Sequence, residues 1–139
     1  MKVYRGEINV KTSGEGDLVN LNGKIEEQVK KSGIKEGVLH LFAIGSTVAL
    51  TTIEYEDGLR EDLFNVLERV APRNAAYKHH LKWGDYNGHS HVRASIIGPS
   101  ISIPIGGGRP ILGTWQQVVL VELDIRPRSR KIIATIIGE

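Results

Sequence analysis

The sequence predicts one α+β domain, with two helices packed on a largely antiparallel sheet or sandwich. Its 139 residues suit a single compact domain, so we treat residues 1–139 as one unit. Two apolar stripes at helical spacing lie in the first half of the chain. Mostly short β-type runs, separated by Gly- and Pro-containing turns, fill the second half.

The first predicted elements are a strand and a helix. Val3–Val10 reads as a strand because β-branched residues partly alternate with polar ones, and the glycines of 14–16 end it. The helix is expected from about Leu18 or Asn20 through Lys31, with Gly33 as its stop. Its apolar residues at helical spacing are Leu18, Leu21, Ile25 and Val29.

Two strands and a second helix are predicted next. Gly37–Ala43 and Val48–Tyr55 are apolar runs joined through a short turn. The second helix is the clearest element, and Pro72 ends it. Its stripe at i, i+4, i+7, i+8 and i+11 is Leu59, Leu63, Val66, Leu67 and Val70.

A polar segment and a series of strands follow. Arg73–Gly88 shows no periodicity, and so long a loop in a compact domain is usually functional or disordered. The glycines of 106–108 and the stretch 126–129 supply turns. The predicted strands are His91–Ile97, Ser100–Ile105, Ile111–Leu112, Gln117–Asp124 and Lys131–Ile137.

Composition excludes several classes of protein. A hydrophobic content of 40% with 24% charged residues is that of a globular chain, and a net charge of +2 excludes a strongly basic nucleic-acid-coating protein. No run approaches the roughly 20 apolar residues of a membrane span, and from the first residues we expect no signal peptide. Without cysteine there is no thiolate metal site or thiol nucleophile, and we expect a cytoplasmic protein.

Charge is distributed unevenly along the chain. Residues 1–71 hold nine Lys or Arg against twelve Asp or Glu, whereas residues 72–139 hold nine against four. Four of the five histidines also lie in the second half. This asymmetry points to an anionic ligand such as a phosphate, or to neutralisation by neighbouring subunits or by the acidic first half.

The segment from Tyr77 to His91 carries the candidate metal site. If His89 and His91 begin a strand, both imidazoles point to one face, where His79 or His80 would add a third nitrogen. Three histidines and an open position form a catalytic zinc site. We expect a divalent metal, zinc first and magnesium or manganese as alternatives. A polar loop that gathers histidines without binding anything is the other interpretation.

Several further side chains are candidates around that site. Asp85 could fix an imidazole tautomer or serve as a ligand and acid–base group, and Glu54 is a candidate general base at a strand end. Arg93, two residues past His91, would share the histidine face and attract an anionic substrate. The candidate substrate-binding residues are Ser46, Thr47, Asn87, Ser95, Trp115 and Gln116, with Trp115 as a stacking wall for a heteroaromatic ring.

Three segments, Asn87–Ser95, Gly98–Ser100 and Gly113–Gln117, resemble the YjbQ-like family, and the similarity runs over nearly the whole chain. The resemblance implies an α+β subunit that assembles as a homotrimer, with pockets near subunit boundaries. It also implies that the family histidines fall on His79, His89 and His91. Many relatives carry His-Thr-Ser or His-Thr-Thr where Ile44-Gly45 stand here.

The resemblance also implies a reaction. Some members are similar in showing weak thiamine-phosphate synthase activity, which joins a pyrimidine methyl pyrophosphate to a thiazole phosphate and releases pyrophosphate. We therefore predict a metal-dependent enzyme acting on a small phosphorylated heteroaromatic substrate. The alternatives are a metal-dependent hydrolase and a trimeric module that binds a metabolite or metal without turnover. Nucleic acid is not an expected partner, because the basic residues of 126–131 suit a solvated turn.

Overall fold

The computed structural model describes residues 1–139, apart from the side chain of Trp83. The helices are α1 (Asn22–Ser32), α2 (Asp57–Val70), α3 (Lys78–Trp83) and α4 (Gly88–Ile97). The strands are β1 (Lys2–Lys11), β2 (Leu18–Asn20), β3 (Gly37–Ile44), β4 (Val48–Ile53), β5 (Ser100–Gly106), β6 (Arg109–Pro110), β7 (Gln117–Glu122) and β8 (Ser129–Gly138). None of the described helices is both long and apolar enough to cross a membrane.

The strands form two antiparallel sheets. The larger sheet has the order β1-β8-β3-β5-β6, and the smaller has the order β2-β7-β4. In the smaller sheet Val48 lies opposite Glu122 and Ile53 lies opposite Gln117. This register decides which side chains share an end of that sheet, and therefore which of the predicted site residues meet.

The smaller sheet is the middle layer of the molecule. Val118 and Leu120 of β7 join the core that it shares with α1 and the larger sheet, whereas Val119 and Val121 join the core under α2 and α4. Both faces of β7 are therefore buried, which explains its nearly continuous apolar sequence. Helix α1 packs against β1, β6 and β8 at one side of the larger sheet.

One face of the larger sheet has no layer over it among the described residues. Alternation along β3 buries Leu39 and Leu41 on the inner side. Its exposed apolar side chains, called the outer apolar face below, are Val3, Val38, Phe42, Ile44 and Ile137. Ile137 lies opposite both Val3 and Val38, so these residues are contiguous across three strands.

The predicted α+β class is confirmed, with more helix than expected. His91–Ile97, predicted as a strand, is part of helix α4, which begins at Gly88. Ala94 and Ile97 of α4 pack, three residues apart, into the core beneath α2. A short run of β-branched residues is compatible with a strand or with a helix. Here the helix is stabilised because it buries one face on the middle sheet.

Smaller differences occur at three other places. Leu18–Asn20 forms strand β2, so helix α1 begins only at Asn22. The segment Arg73–Gly88, predicted as a loop, contains the short helix α3. The hairpin partner of β5 is Arg109–Pro110 rather than Ile111–Leu112. Each difference lies where a neighbouring strand or helix supplies the hydrogen bonds and burial that the local pattern does not specify.

Candidate metal centre

A tight turn between α3 and α4 brings polar side chains together. Helix α3 ends at Gly84 in the left-handed region, with φ of 68°. Tyr86 also has a positive φ, of 57°, which is uncommon for a residue with a side chain. Gly88 lies directly against Tyr77, where an added Cβ would be 2.6 Å from the Cβ of Tyr77. The backbone thus returns so that residues 85–87 lie over the side chain of His79.

His79, Asp85, Asn87 and His91 form one group, called the histidine–carboxylate cluster below. His79 Nε2 lies 3.1 Å from Asp85 Oδ1 and 3.1 Å from Asn87 Oδ1. The rings of His79 and His91 are 4.5 Å apart between centroids and tilted by 53°. Four residues singled out by the sequence therefore meet at one place.

The buried amide of Asn87 lies between two carboxylates. In one orientation Asn87 Nδ2 donates to Asp124 Oδ1 at 3.5 Å, and its oxygen faces Asp85 and His79. In the other, the amide NH₂ donates to the two Asp85 oxygens at 2.9 and 3.2 Å and to His79 Nε2 at 3.1 Å. With NH₂ toward Asp85 the cluster is satisfied by hydrogen bonds. With the amide oxygen toward Asp85, the acceptor atoms of Asn87, Asp85 and His79 face one another, which is the arrangement that a bound cation requires.

Electrostatics favour the neutral form of His91. Its pKa is lowered, first because burial disfavours the imidazolium and second because His79 lies beside it. Asp85 and Asp124 act in the opposite direction and do not outweigh these effects. A neutral imidazole keeps the lone pair that metal binding needs.

His80 supports the turn. Its Nε2 accepts a hydrogen bond from the backbone N–H of Gly88 at 3.2 Å. Its ring also lies 4.9 Å from that of Tyr86 and 5.5 Å from that of Tyr77, between centroids. These contacts account for His80 without a ligand role.

His89 does not share a face with His91 as the strand prediction required. Two residues apart on a helix, their side chains point about 200° apart. His89 is completely buried, and its Nε2 contacts the carboxylate of Glu15, which also accepts a hydrogen bond from Arg73 at 3.0 Å. His89 Nδ1 has no hydrogen-bond partner among the described residues. Metal-bound histidines in proteins are oriented in the same way, with a carboxylate at one ring nitrogen and the other nitrogen free for the metal.

Arg93 is not placed to meet a substrate. It is 3% exposed, its Nε donates to the carbonyl oxygen of Ala71 at 3.0 Å, and its Nη2 donates to Glu68 Oε2 at 2.8 Å. Ala71 follows the last residue of α2, so Arg93 ties α4 to the end of α2. The predicted anion-attracting role of Arg93 is replaced by this structural one.

Thr47 lies close to the cluster, through Asp124. Its hydroxyl donates to Asp124 Oδ2 at 3.1 Å and accepts from Arg130 Nη2 at 2.9 Å. Arg130 also donates to both carboxylate oxygens of the completely buried Glu122, at 2.8 and 2.5 Å. Thr47 is therefore part of a buried polar network at the end of the middle sheet, whereas Ser46 is exposed.

The remaining candidates lie elsewhere. Ser95 donates to the carbonyl oxygen of His91 within α4. Glu54, Trp115 and Gln116 are exposed at the opposite end of the middle sheet from Thr47. Seven residues of extended chain separate Thr47 from Glu54, roughly 20 Å. The structure therefore does not bring Glu54 to the histidines.

Glu15 and Asp124 contribute to these contacts, and neither is among the site residues that the sequence predicts. Glu15 stands between the two glycines that end the first predicted strand. Asp124, like Glu122, is a carboxylate beside the apolar run of β7, and both are buried. A charge within a fully apolar strand is a signal available in the sequence, since a buried carboxylate needs a partner. Arg128 supplies that partner for Asp124, at 2.6 Å.

The donor set of the cluster fits a divalent metal. Among the described residues, no three His, Asp or Glu side chains already surround one point as ligands. The convergence of imidazole nitrogen, carboxylate oxygen and amide oxygen nevertheless suits zinc or manganese, and imidazole favours zinc over magnesium. The fit rests on His79, Asp85, Asn87 and His91.

The fold and this cluster define an α+β sandwich with a histidine-rich turn beside its middle sheet. The sequence model of the "UPF0047 protein YjbQ-like" family matches residues 6–139, so the chain belongs to that family. A UPF0047 protein of Methanothermobacter thermautotrophicus is 35% identical over 139 residues, covering 100% of this chain and 95% of that protein. The YjbQ protein of Salmonella typhimurium is 38% identical over 107 residues, covering 76% and 77%.

Solved structures have the same fold. A YbjQ-like protein of unknown function from Sulfolobus solfataricus has a TM-score of 0.92 and 36% identity, covering 99% of each chain. A hypothetical protein from Aeropyrum pernix has a TM-score of 0.89 and 34% identity, covering 98% of this chain and 99% of its own. The predicted family resemblance is thus confirmed for the whole domain.

Proposed function

We propose that this protein is a metal-dependent enzyme that acts on a small phosphorylated heteroaromatic molecule at the histidine–carboxylate cluster. The observation that carries the proposal is the convergence of His79 Nε2, Asp85 and the Asn87 amide within about 3 Å of one another. The half-buried His79 and Asp85 and the buried Asn87, arranged in this way, favour a cation when the amide oxygen faces inward.

His79, Asp85, Asn87 and His91 would hold the metal. A divalent ion in such a place supplies Lewis acidity and charge for a departing or transferring phosphate. The residues of the chain supply the rest. Asp124 lies on the far side of the Asn87 amide and orients it, and Arg128 holds Asp124 by a charged hydrogen bond.

The phosphorylated substrate is supported by charge. Residues 72–139 carry five more basic than acidic residues, nine against four. Arg93 is bonded to the end of α2 and does not face the cluster. Arg128, with 39% of its side chain exposed, offers a guanidinium group beside Asp124 instead. A thiamine-phosphate synthase-like reaction, which releases pyrophosphate, matches these groups chemically.

We further propose that the protein is cytoplasmic and assembles as a homotrimer. The outer apolar face supports self-association, because five exposed apolar side chains on one sheet face are an unfavourable surface for an isolated subunit. Two other functions would use the same cluster: a metal-dependent hydrolase, and a trimeric module that binds a metabolite without turnover. The turnover test below distinguishes both from a synthase.

Metal content is the first test. Inductively coupled plasma mass spectrometry of untagged protein should find about one transition-metal ion per subunit. His79→Ala and His91→Ala should lose it, whereas His40→Ala, a change at an exposed histidine of β3, should keep it. Equal metal content in all four proteins, or none after incubation with zinc or manganese, would contradict the metal site.

Turnover is the second test. Metal-loaded protein should form thiamine phosphate from the pyrimidine pyrophosphate and the thiazole phosphate, and His79→Ala should not. Release of phosphate from simple phosphoesters instead would identify a hydrolase. Saturable ligand-induced thermal stabilisation without any turnover would identify a binding module.

A further inference from the structure

A basic cleft lies between α1 and the β5–β6 hairpin, on elements that do not contribute to the histidine–carboxylate cluster. Its volume is about 420 Å³, and it is lined by Glu26, Lys30, Lys35 and Arg109 together with the hairpin turn. Lys30, Lys35 and Arg109 are exposed, and among the described side chains no ion pair involves them. Besides Glu26, the carboxylate of Glu36 lies at the hairpin turn, where it accepts a hydrogen bond from the Gly107 N–H at 3.0 Å. Three cations against these two carboxylates leave a surplus of one positive charge.

The backbone of Lys35 is held rigidly at this place. Its N–H donates to the carbonyl oxygen of Glu139 at 2.7 Å, and its carbonyl oxygen accepts from the N–H of Gly108 at 3.0 Å. The backbone of Lys35 is therefore fixed between the end of β8 and the hairpin turn. Its side chain extends into the cleft from this fixed point.

The two-glycine turn makes room for the ammonium group. Gly107 and Gly108 both have positive φ, 58° and 78°, as a tight two-residue hairpin turn requires. A Cβ at Gly108 would lie 3.1 Å from Cδ and 3.3 Å from Nζ of Lys35. The lysine side chain thus lies across the bare backbone of Gly108, which a larger residue would obstruct.

Among the described side chains the three cations form no ion pair with these carboxylates, and like charges gathered in this way repel one another unless an anion joins them. Glu26 stands one helical turn before Lys30, yet the two are not within 4.0 Å as an ion pair. An exposed cleft with unpaired ammonium and guanidinium donors from three segments of the chain suits phosphate oxygens, and the forked geometry of Arg109 suits two of them.

We propose that this cleft is a binding site for a small anion of charge −2 or more, a phosphate or pyrophosphate group, separate from the proposed metal centre. Lys30, Lys35 and Arg109 bind the phosphate oxygens, and the Gly107-Gly108 turn keeps the approach to Lys35 open. The site does not depend on a metal, and it stands whether or not the histidine cluster is catalytic.

The test is isothermal titration of metal-free protein with inorganic pyrophosphate at low salt. Saturable binding should weaken about tenfold in each of Lys30→Gln, Lys35→Gln and Arg109→Gln, the cost of one charged hydrogen bond. It should also weaken with added salt. Lys24→Gln, a charge removed from the same helix outside the cleft, and His79→Ala should both bind like the unmodified protein.

Three outcomes would overturn the proposal. They are absence of saturable binding, equal affinity in the three cleft variants and the Lys24→Gln control, and loss of binding in His79→Ala. The last result would place the anion at the histidine–carboxylate cluster.

Discussion

At the scale of single residues, burial and hydrogen bonding separate structural charges from functional ones. Arg93 and Arg130 are both buried and bonded to carboxylates, and each also reaches a backbone carbonyl. Buried guanidinium groups in such arrangements hold chain segments together, and their removal leaves polar groups without partners. Exposed, unpaired Lys35 and Arg109 have no such structural contacts through their side chains among the described residues.

Arg93→Ala should destabilise the fold while leaving metal binding intact. It removes hydrogen bonds to Ala71 and Glu68 and leaves a gap between α2 and α4, so we expect a loss of about 2–3 kcal/mol in the free energy of unfolding. Urea denaturation measures it, with the exposed Ser95→Ala as the control. A stable Arg93→Ala protein that loses metal would instead restore a role for Arg93 at the site.

Asp124 should make stability depend on acidic pH. Burial alone raises its pKa, but hydrogen bonds from Arg128, the Ile125 N–H and Thr47 outweigh burial and lower it. The stabilisation is complete above the unfolded-state pKa of about 3.9 and is lost as pH falls through the lower folded-state pKa. Asp124→Asn should therefore show a shallower fall in Tm from about pH 5 to about pH 2. Equal slopes in the two proteins would contradict this account.

At the scale of elements, helix α4 is the decisive one. Its sequence fits a strand by period-two alternation, and the strand prediction placed His89, His91 and Arg93 on one face. As a helix it directs His91 to the histidine–carboxylate cluster, His89 to Glu15 and Arg93 to α2. The helical period of 3.6 residues, in place of the strand period of two, thus directs these three side chains to three different partners.

Gly88→Ala should displace α4 from α3. A Cβ there would lie 2.6 Å from the Cβ of Tyr77, a contact that requires movement of the backbone. We expect a loss of about 1–3 kcal/mol and reduced metal affinity. Gly23→Ala, in α1 with no atom within 4 Å of the added Cβ, is the matched control and should stabilise by up to about 1 kcal/mol. Chemical denaturation and metal titration measure both, and an unperturbed Gly88→Ala protein would refute the packing argument.

At the scale of the whole molecule, the layers are unequally covered. The middle sheet is buried by the larger sheet on one side and by α2 and α4 on the other. The larger sheet exposes Phe42 and its apolar neighbours. A sheet face of this kind is the surface on which the proposed homotrimer would form, because association would remove its apolar area from water.

Phe42→Lys should therefore shift the protein toward smaller species. Sedimentation equilibrium at several concentrations should give a trimer mass for the unmodified chain and a lower mass for the variant. Val66→Lys, at a similarly exposed apolar residue of α2, should not change the mass. A monomer mass for the unmodified protein, or an unchanged trimer in Phe42→Lys, would exclude this face as the interface.

The sequence by itself determined the fold class, both long helices and most strands, because strong apolar periodicity records burial directly. It also predicted a metal site of His79, His89 and His91 with Asp85 and Asn87 nearby, because all five lie within one short polar segment, and the structure separates only His89 from that group. Only the tertiary structure decided the element that carries His91, the separation of Glu54 from the site, and the partners Glu15 and Asp124. Those depend on contacts between residues far apart in the chain, such as Glu15 with His89, and no local pattern encodes them.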